Sequence, residues 1–133
     1  AGGQGPAAGE HAAKLSRGAV GVFEGYRSYF LQDGEGNIEA TGSISAGLDY
    51  CGASPILAAL LDAGRLEAAA ATDEATLAAV QRLARTEGLV LALESAHALA
   101  HALALAPQLP KEEAIVVNRS GRGAGLPGLW HQQ

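Results

Sequence analysis

Between Leu66 and Asn118 three short apolar runs, "LEAAAA" (66–71), "LVLAL" (89–93) and "EAIVVN" (113–118), are separated by two helical stretches. This alternation constrains the fold more than any other feature of the chain. Runs of this kind, apolar without a polar face, read as strands buried on both sides, and the intervening helices supply the cover. Strand–helix–strand–helix–strand therefore predicts an α/β fold, a parallel sheet with flanking helices. The first helix, "DEATLAAVQRLARTE", is capped by Thr72 or Asp73, places Leu77, Val80, Leu83 and Ala84 on one face, and stops at Gly88. The second, "SAHALAHALALA" (95–106), is apolar almost all round and is closed by Pro107. In such sheets ligands sit beyond the carboxyl ends of the strands. Glu94 follows "LVLAL", and the hydrogen-bonding, glycine-rich loop "RSGRGAG" (119–125) follows "EAIVVN".

The chain is 133 residues long, which is one domain's worth. Residues 1–25 read as an irregular lead-in. A β-hairpin and site loop occupy 26–54, with "YRSYFLQ" and "IEATGSI" joined by the turn "DGEGN" (33–37). The α/β core covers 55–126 and a tail covers 127–133. Ser54 and Pro55 open a helix that Gly64 stops. Aromatics are only 5% of the chain, so the core is built from small side chains. A net charge of −5 with nine scattered basic residues argues against nucleic acid. One cysteine, Cys51, excludes an internal disulfide framework and fits a reducing, cytoplasmic setting. No apolar run reaches the length of a membrane span, and the opening residues lack a signal-peptide pattern. The sequence contains no methionine and opens like the middle of a loop, so we expect a piece of a longer protein.

Few residues offer chemistry on their own. Glu94 admits two readings of similar weight: a carboxylate stabilised at a helix N-terminus, or one facing a ligand at a strand end. His97 and His101 are one turn apart but lack a third ligand, and read as packed, hydrogen-bonded core residues. Cys51 reads as a small apolar filler rather than a nucleophile. "SGRGAG" matches neither GxxxxGK[ST] nor GxGxxG, although Ser120 offers one hydrogen bond to whatever occupies the cleft. "SISAGLDY" (43–50) places Asp49 in a small, apolar setting, which suits either an ordinary turn or a loop closing over a charged ligand.

Taken together, "RSYFLQDGEGNIEATGSISAGLDY", "LVLALESAHALAHALALA" and "KEEAIVVNRSGRG" resemble the tryptophan synthase β-chain, in that order and at compatible spacing. "HAAKLSRGAVGVFEG" and "GRLEAAAATDEATLAAVQRLARTEG" fit the same alignment, so the resemblance runs from about Gly2 to Gly123. It implies the C-terminal portion of a fold-type II pyridoxal-phosphate enzyme that makes tryptophan from L-serine and indole by β-replacement, paired with an α-chain that releases indole. By the resemblance Ser120 bonds the pyridine nitrogen of the cofactor, Gly47 and Gly121 contact the cofactor, and Glu94 lies beside its ring. Asp49 helps to close the site around the amino-acid intermediate. Tyr50 and Gly52 supply backbone carbonyls to a monovalent cation, and Phe23 and Glu24 line the indole tunnel.

The chain departs from the family pattern at several of these places. Arg119 stands where a leucine is usual, and the usual SGRGDKD becomes "SGRGAGL". GLDYPGVGPEH becomes "GLDYCGASPIL", and Glu24 is charged at a tunnel position that is usually not. The only lysines, Lys14 and Lys111, do not match the family's Schiff-base lysine, and the phosphate-binding glycine-serine loop is not in this sequence. Two expectations follow. In the first, the chain is inactive alone and works when an N-terminal half or second chain supplies the lysine, forming a hetero-oligomer. In the second, it is a drifted or designed non-catalytic fragment that serves as a binding or scaffold module.

Overall fold

The structure, a computed structural model, describes residues 1–123. The expected tail at 127–133 and the end of the glycine-rich loop from Ala124 lie outside the described residues. Within them the chain forms α1 (Lys14–Arg17), β1 (Ala19–Phe23), β2 (Tyr26–Phe30), α2 (Pro55–Asp62), α3 (Asp73–Glu87) and α4 (Leu93–Leu105), followed by a 3-10 turn at Ala106–Gln108.

Strands β1 and β2 pair antiparallel from Ala19↔Phe30 to Phe23↔Tyr26. The two residues between them, Glu24 and Gly25, both have positive φ, at 50° and 84°. Positive φ at both central residues is the geometry of the type I′ turn, whose twist matches that of the flanking strands. This corrects the expectation that 1–25 is irregular throughout, and the forward pairing of "YRSYFLQ" with "IEATGSI" is present as an isolated antiparallel bridge rather than a ladder. The turn at 33–37 does form: the Asp33 carboxylate accepts from the Glu35 and Asn37 amides, each at 2.9 Å. Beyond it the backbone is tied to β2 by the isolated Gln32↔Ile38 bridge and by the Glu39 amide, which donates to the Leu31 carbonyl at 3.0 Å. It then turns to the lead-in, where the Ala40 carbonyl accepts from the Gly9 amide and the Gly42 amide donates to the His11 carbonyl. The free side of β2 is taken instead by residues 51–53. The Leu31 amide donates to the Cys51 carbonyl and the Ala53 amide to the Tyr29 carbonyl, each at 2.9 Å. Phe30 is fully buried there, edge-on to Phe23 and tilted against Tyr26.

Gly18 joins α1 to β1, its amide donating to the Lys14 carbonyl at 2.9 Å. A Cβ at Gly18 would lie 2.7 Å from the Phe30 carbonyl oxygen and still closer to that of Lys14.

The three later helices follow most of their sequence signals, although Ser54 at the N-cap of α2 makes no side-chain cap bond and α4 begins two residues early, at Leu93. Pro55 starts α2, and Gly64 after it has φ 66°. Thr72 caps α3 by accepting from the Ala75 amide at 3.2 Å, and Gly88 ends it in the left-handed region. Helices α3 and α4 pack through Val80 and Ala96, with Leu91 beneath them and Leu83, Leu93 and Leu99 at the margin. Alanines supply much of the remaining core, at positions 12, 13, 53, 58, 79 and 100. Each such methyl contributes only about 0.8 kcal/mol on burial.

The parallel sheet does not form among the described residues, where the sheet is the two-stranded β1–β2 pair. Residues 66–71 and 113–118 have no strand structure, and "LVLAL" gives its last residue to α4 while Leu91 makes a single antiparallel bridge to Arg122. A strand of a parallel sheet gets its hydrogen bonds from neighbours far away in sequence. Only the end of the first run finds one here, where the Gly2 amide donates to the Ala71 carbonyl at 2.6 Å beside an isolated parallel Gly3↔Thr72 bridge. Residues 113–118 form no bridge among the described residues, and Val116 is 93% exposed.

Candidate functional site

The site is built on the first turn of α4. Its N-terminal position leaves main-chain amides free to favour a negative charge, and Glu94 stands there. One carboxylate oxygen, Oε1, accepts from the Gly47 amide at 3.0 Å, which ties the 45–50 loop to α4. Hydrogen bonds from the Glu94 main-chain amide and then from Gly47 hold this carboxyl below the usual carboxylate range, with burial opposing them. Ser45 lies close to the same carboxylate; its hydroxyl is buried but forms no hydrogen bond of good geometry. Glu94 is a helix-start carboxylate, and it also lines a pocket of about 300 Å³ with Ile44, Ser45, Ala46, Arg122 and Gly123.

Ser95, the next residue, holds the other half of the site. Its hydroxyl accepts from the Gly121 amide at 3.2 Å and lies 3.1 Å from the Ser120 hydroxyl. Residues 121–123 run alongside 90–92 in the opposite direction. The Ala92 amide donates to the Gly121 carbonyl at 3.4 Å, and the Gly123 amide to the Val90 carbonyl at 3.2 Å. A Cβ on Gly121 would meet that of Ala92 at 3.0 Å, so the approach favours a residue without a side chain. Adjacent residues Glu94 and Ser95 therefore bring Gly47, Ser120 and Gly121 to one helix end. Neither Ser95 nor Ser45 stood out beforehand, because a serine in an alanine-rich stretch looks like any other small residue.

The remaining expected residues gather elsewhere. Asp49 is exposed on the 45–50 loop. Phe23 packs on Phe30, and the Glu24 carboxylate accepts from the Tyr50 hydroxyl at 2.5 Å. That bond, followed by one to Tyr26, holds the Tyr50 phenol well above its ordinary pKa. Gly52 is buried against the Phe30 ring. His97 is buried and its Nδ1 lies 2.7 Å from the Leu93 carbonyl oxygen; burial pushes its pKa down. His101 is exposed, which corrects its reading as a packed core residue: it shares a face with His97 one turn earlier, but there it borders an open pocket with Glu67, Ala68 and Leu105. Among the described residues no three His, Cys, Asp or Glu side chains are grouped to hold a metal. Cys51 is buried, in keeping with a filler role.

Of the carbonyls expected to serve a monovalent cation, that of Tyr50 is engaged differently. Lys14, half-buried in α1, donates from Nζ to the Leu48 carbonyl and to the Tyr50 carbonyl, each at 2.7 Å. A positive charge already sits on the Tyr50 carbonyl, so the residues present do not fit a free cation at that place. No helix of the described residues is long and apolar enough to cross a membrane.

Comparison with known proteins matches the sequence of this chain to a family. Residues 19–121 match the family described as pyridoxal-phosphate dependent enzyme. The chain is 51% identical over 122 residues to the tryptophan synthase beta chain of Chlamydia trachomatis serovar D, covering 92% of this chain and 31% of that one. It is 52% identical over 123 residues to the tryptophan synthase beta chain of Methylibium petroleiphilum, covering 92% of this chain and 30% of that one. The chain thus spans about a third of the length of these curated relatives. The family match takes in β1, β2, α2, α3 and α4 together with Glu94, Ser95, Ser120 and Gly121, and the chain belongs to the pyridoxal-phosphate dependent enzyme family.

Proposed function

We propose that this chain supplies the C-terminal part of a cytoplasmic tryptophan synthase β-type enzyme, which joins L-serine to indole by β-replacement. The remainder of the protein or a second chain supplies the lysine and the phosphate-binding loop. The observation that carries the proposal is the convergence of Ser120, Gly121, Glu94 and Gly47 on the first turn of α4, in a chain about half identical to tryptophan synthase beta chains. A tryptophan synthase α-like chain is the expected source of indole.

The donor set fits one edge of pyridoxal phosphate. Ser120 is exposed, and its known partner is the Ser95 hydroxyl. Each hydroxyl has one proton to give. If Ser95 accepts from Gly121 and donates to Ser120, the Ser120 proton is free for an acceptor such as a neutral ring nitrogen. Pyridoxal phosphate, when bound, supplies the electron-withdrawing ring that labilises bonds at the substrate α-carbon. A neutral hydroxyl at the ring nitrogen leaves that ring unprotonated, which favours elimination at the β-carbon over a fully developed carbanion. Glu94, ionised at neutral pH, sits beside the pocket, where it holds the 45–50 loop through Gly47 and faces the leaving and entering groups. Asp49, on the same loop, completes closure over the amino acid. Phe23 and Glu24 border the path of the nucleophile. We also infer that 66–71, 89–93 and 113–118 include strands of a parallel sheet that the rest of the protein completes; the exposed Leu89, Ile115 and Val116 side chains support this.

The test has two arms. Alone, the chain treated with pyridoxal phosphate and borohydride carries no stoichiometric pyridoxyl mark on Lys14 or Lys111. Joined with its natural lysine-bearing half, it forms tryptophan from L-serine and indole. A mark on Lys14 or Lys111, or a completed protein that binds the cofactor but forms no tryptophan, refutes the reading.

A further inference from the structure

The 45–50 loop is held at two points by opposite charges. The Glu94 carboxylate takes its Gly47 amide at 3.0 Å. The Lys14 ammonium takes its Leu48 and Tyr50 carbonyls, each at 2.7 Å. The Tyr50 amide also donates to the Leu48 carbonyl at 2.9 Å, a tight three-residue turn centred on Asp49. Two carbonyls aimed at one point repel each other unless a cation lies between them, and rings of carbonyl oxygens bind monovalent ions for this reason. Here the cation is part of the chain. Lys14 is anchored from behind, since its carbonyl accepts from the Gly18 amide and its helix abuts β2. Burial lowers its pKa, while the neighbouring Cys51 and Asp49 side chains act in the opposite direction.

We propose that the Lys14 side chain is a built-in monovalent cation, taking the place of a metal ion at the Leu48 and Tyr50 carbonyls and holding the loop that carries Gly47 against Glu94. Lys14 is then a positioning residue, and the site forms whatever alkali ion is in solution. A tethered ammonium is present at a high effective concentration at all times, whereas a free ion has to be recruited.

The test uses the complete assembled protein, with hydrogen exchange of the 45–52 segment measured in choline, sodium, potassium or ammonium chloride. The wild type exchanges at one rate in all four salts and shows no saturable thallium(I) site. In Lys14→Met, which loses both hydrogen bonds from Nζ, the segment exchanges at least about ten-fold faster in choline, each charge-assisted hydrogen bond being worth about that factor. Potassium or ammonium slows it again, and thallium(I) now binds saturably. A Lys14→Met rate that equals wild type, or that no monovalent cation slows, overturns the proposal. So does a saturable thallium(I) site in the wild type displaced by potassium, and that arm decides the matter even where Lys14→Met does not fold. None of these readouts needs cofactor or turnover, so they separate the role of Lys14 from the proposed reaction.

Discussion

Replacing Ser95 with alanine removes one oxygen atom from a side chain that is only 2% exposed, and it should loosen a segment 25 residues away. Two bonds are lost: the acceptor for the Gly121 amide at 3.2 Å and the link to the Ser120 hydroxyl at 3.1 Å. Neutral hydrogen bonds contribute about 0.5–1.5 kcal/mol each, so the pair is worth about 1–3 kcal/mol. Alanine fills nearly the same volume, so the cavity term is small. Against a total stability of about 5–15 kcal/mol this is a measurable loss. The consequence for function is distinct from the loss of stability. Without Ser95 to orient it, the Ser120 hydroxyl rotates freely, so Ser95→Ala should weaken cofactor binding although Ser95 donates nothing to the cofactor. The assay is a double-mutant cycle on the assembled protein with Ser95→Ala, Ser120→Ala and both, reading cofactor affinity and the urea midpoint. If Ser95 acts through Ser120, the second substitution adds little affinity loss to the first, a coupling of at least about 0.5 kcal/mol. Strict additivity in affinity refutes the proton chain, and an unchanged urea midpoint refutes the tie to 121–123.

Three further outcomes are expected. Glu94 has a folded-state pKa below its ordinary value of 4.5, so its stabilisation is present above that pH and is lost as pH falls through the lower folded value; Glu94→Gln should flatten the acid limb of an exchange profile of the 45–50 loop. Thr72→Ala removes the side-chain cap of α3 and should lower stability by about 1 kcal/mol, while Thr72→Ser in the same urea titration should not. Glu24→Gln takes the carboxylate from the Tyr50 hydroxyl, so ultraviolet titration should show one tyrosine returning downward towards its ordinary pKa of 10.0.

Helices were legible where periodicity and caps agree. Thr72, Gly88, Pro55 and Gly64 mark their helices by chemistry that acts within a few residues, and the structure keeps all four. The hairpin was half legible. Its β2 strand shows in "YRSYF", but its partner was hidden because the turn is Glu-Gly rather than Asn-Gly, and a glutamate at φ 50° is an unusual occupant of the left-handed region. Apolar runs at 66–71, 89–93 and 113–118 announced burial without naming what buries them, since pairing between parallel strands is a long-range property. In the candidate site, Glu94 and Ser120 stood out by charge and loop context. Ser95 and Lys14 did not, because their roles depend on atoms 25 to 36 positions away along the chain.

Gly18 has a consequence at the level of the gene. Every glycine codon begins with two guanines, and a single base change at either of them introduces a residue with a Cβ or a stop. At this position that carbon would be driven into the carbonyl oxygens of Phe30 and Lys14, both of them main chain and neither free to swing aside. The hydropathy of "LSRGAV" gives no warning of this. Mutational scanning should find the codon for Gly18 intolerant of every missense change, as strictly as a catalytic position, with the damage passing through the turn that carries Lys14.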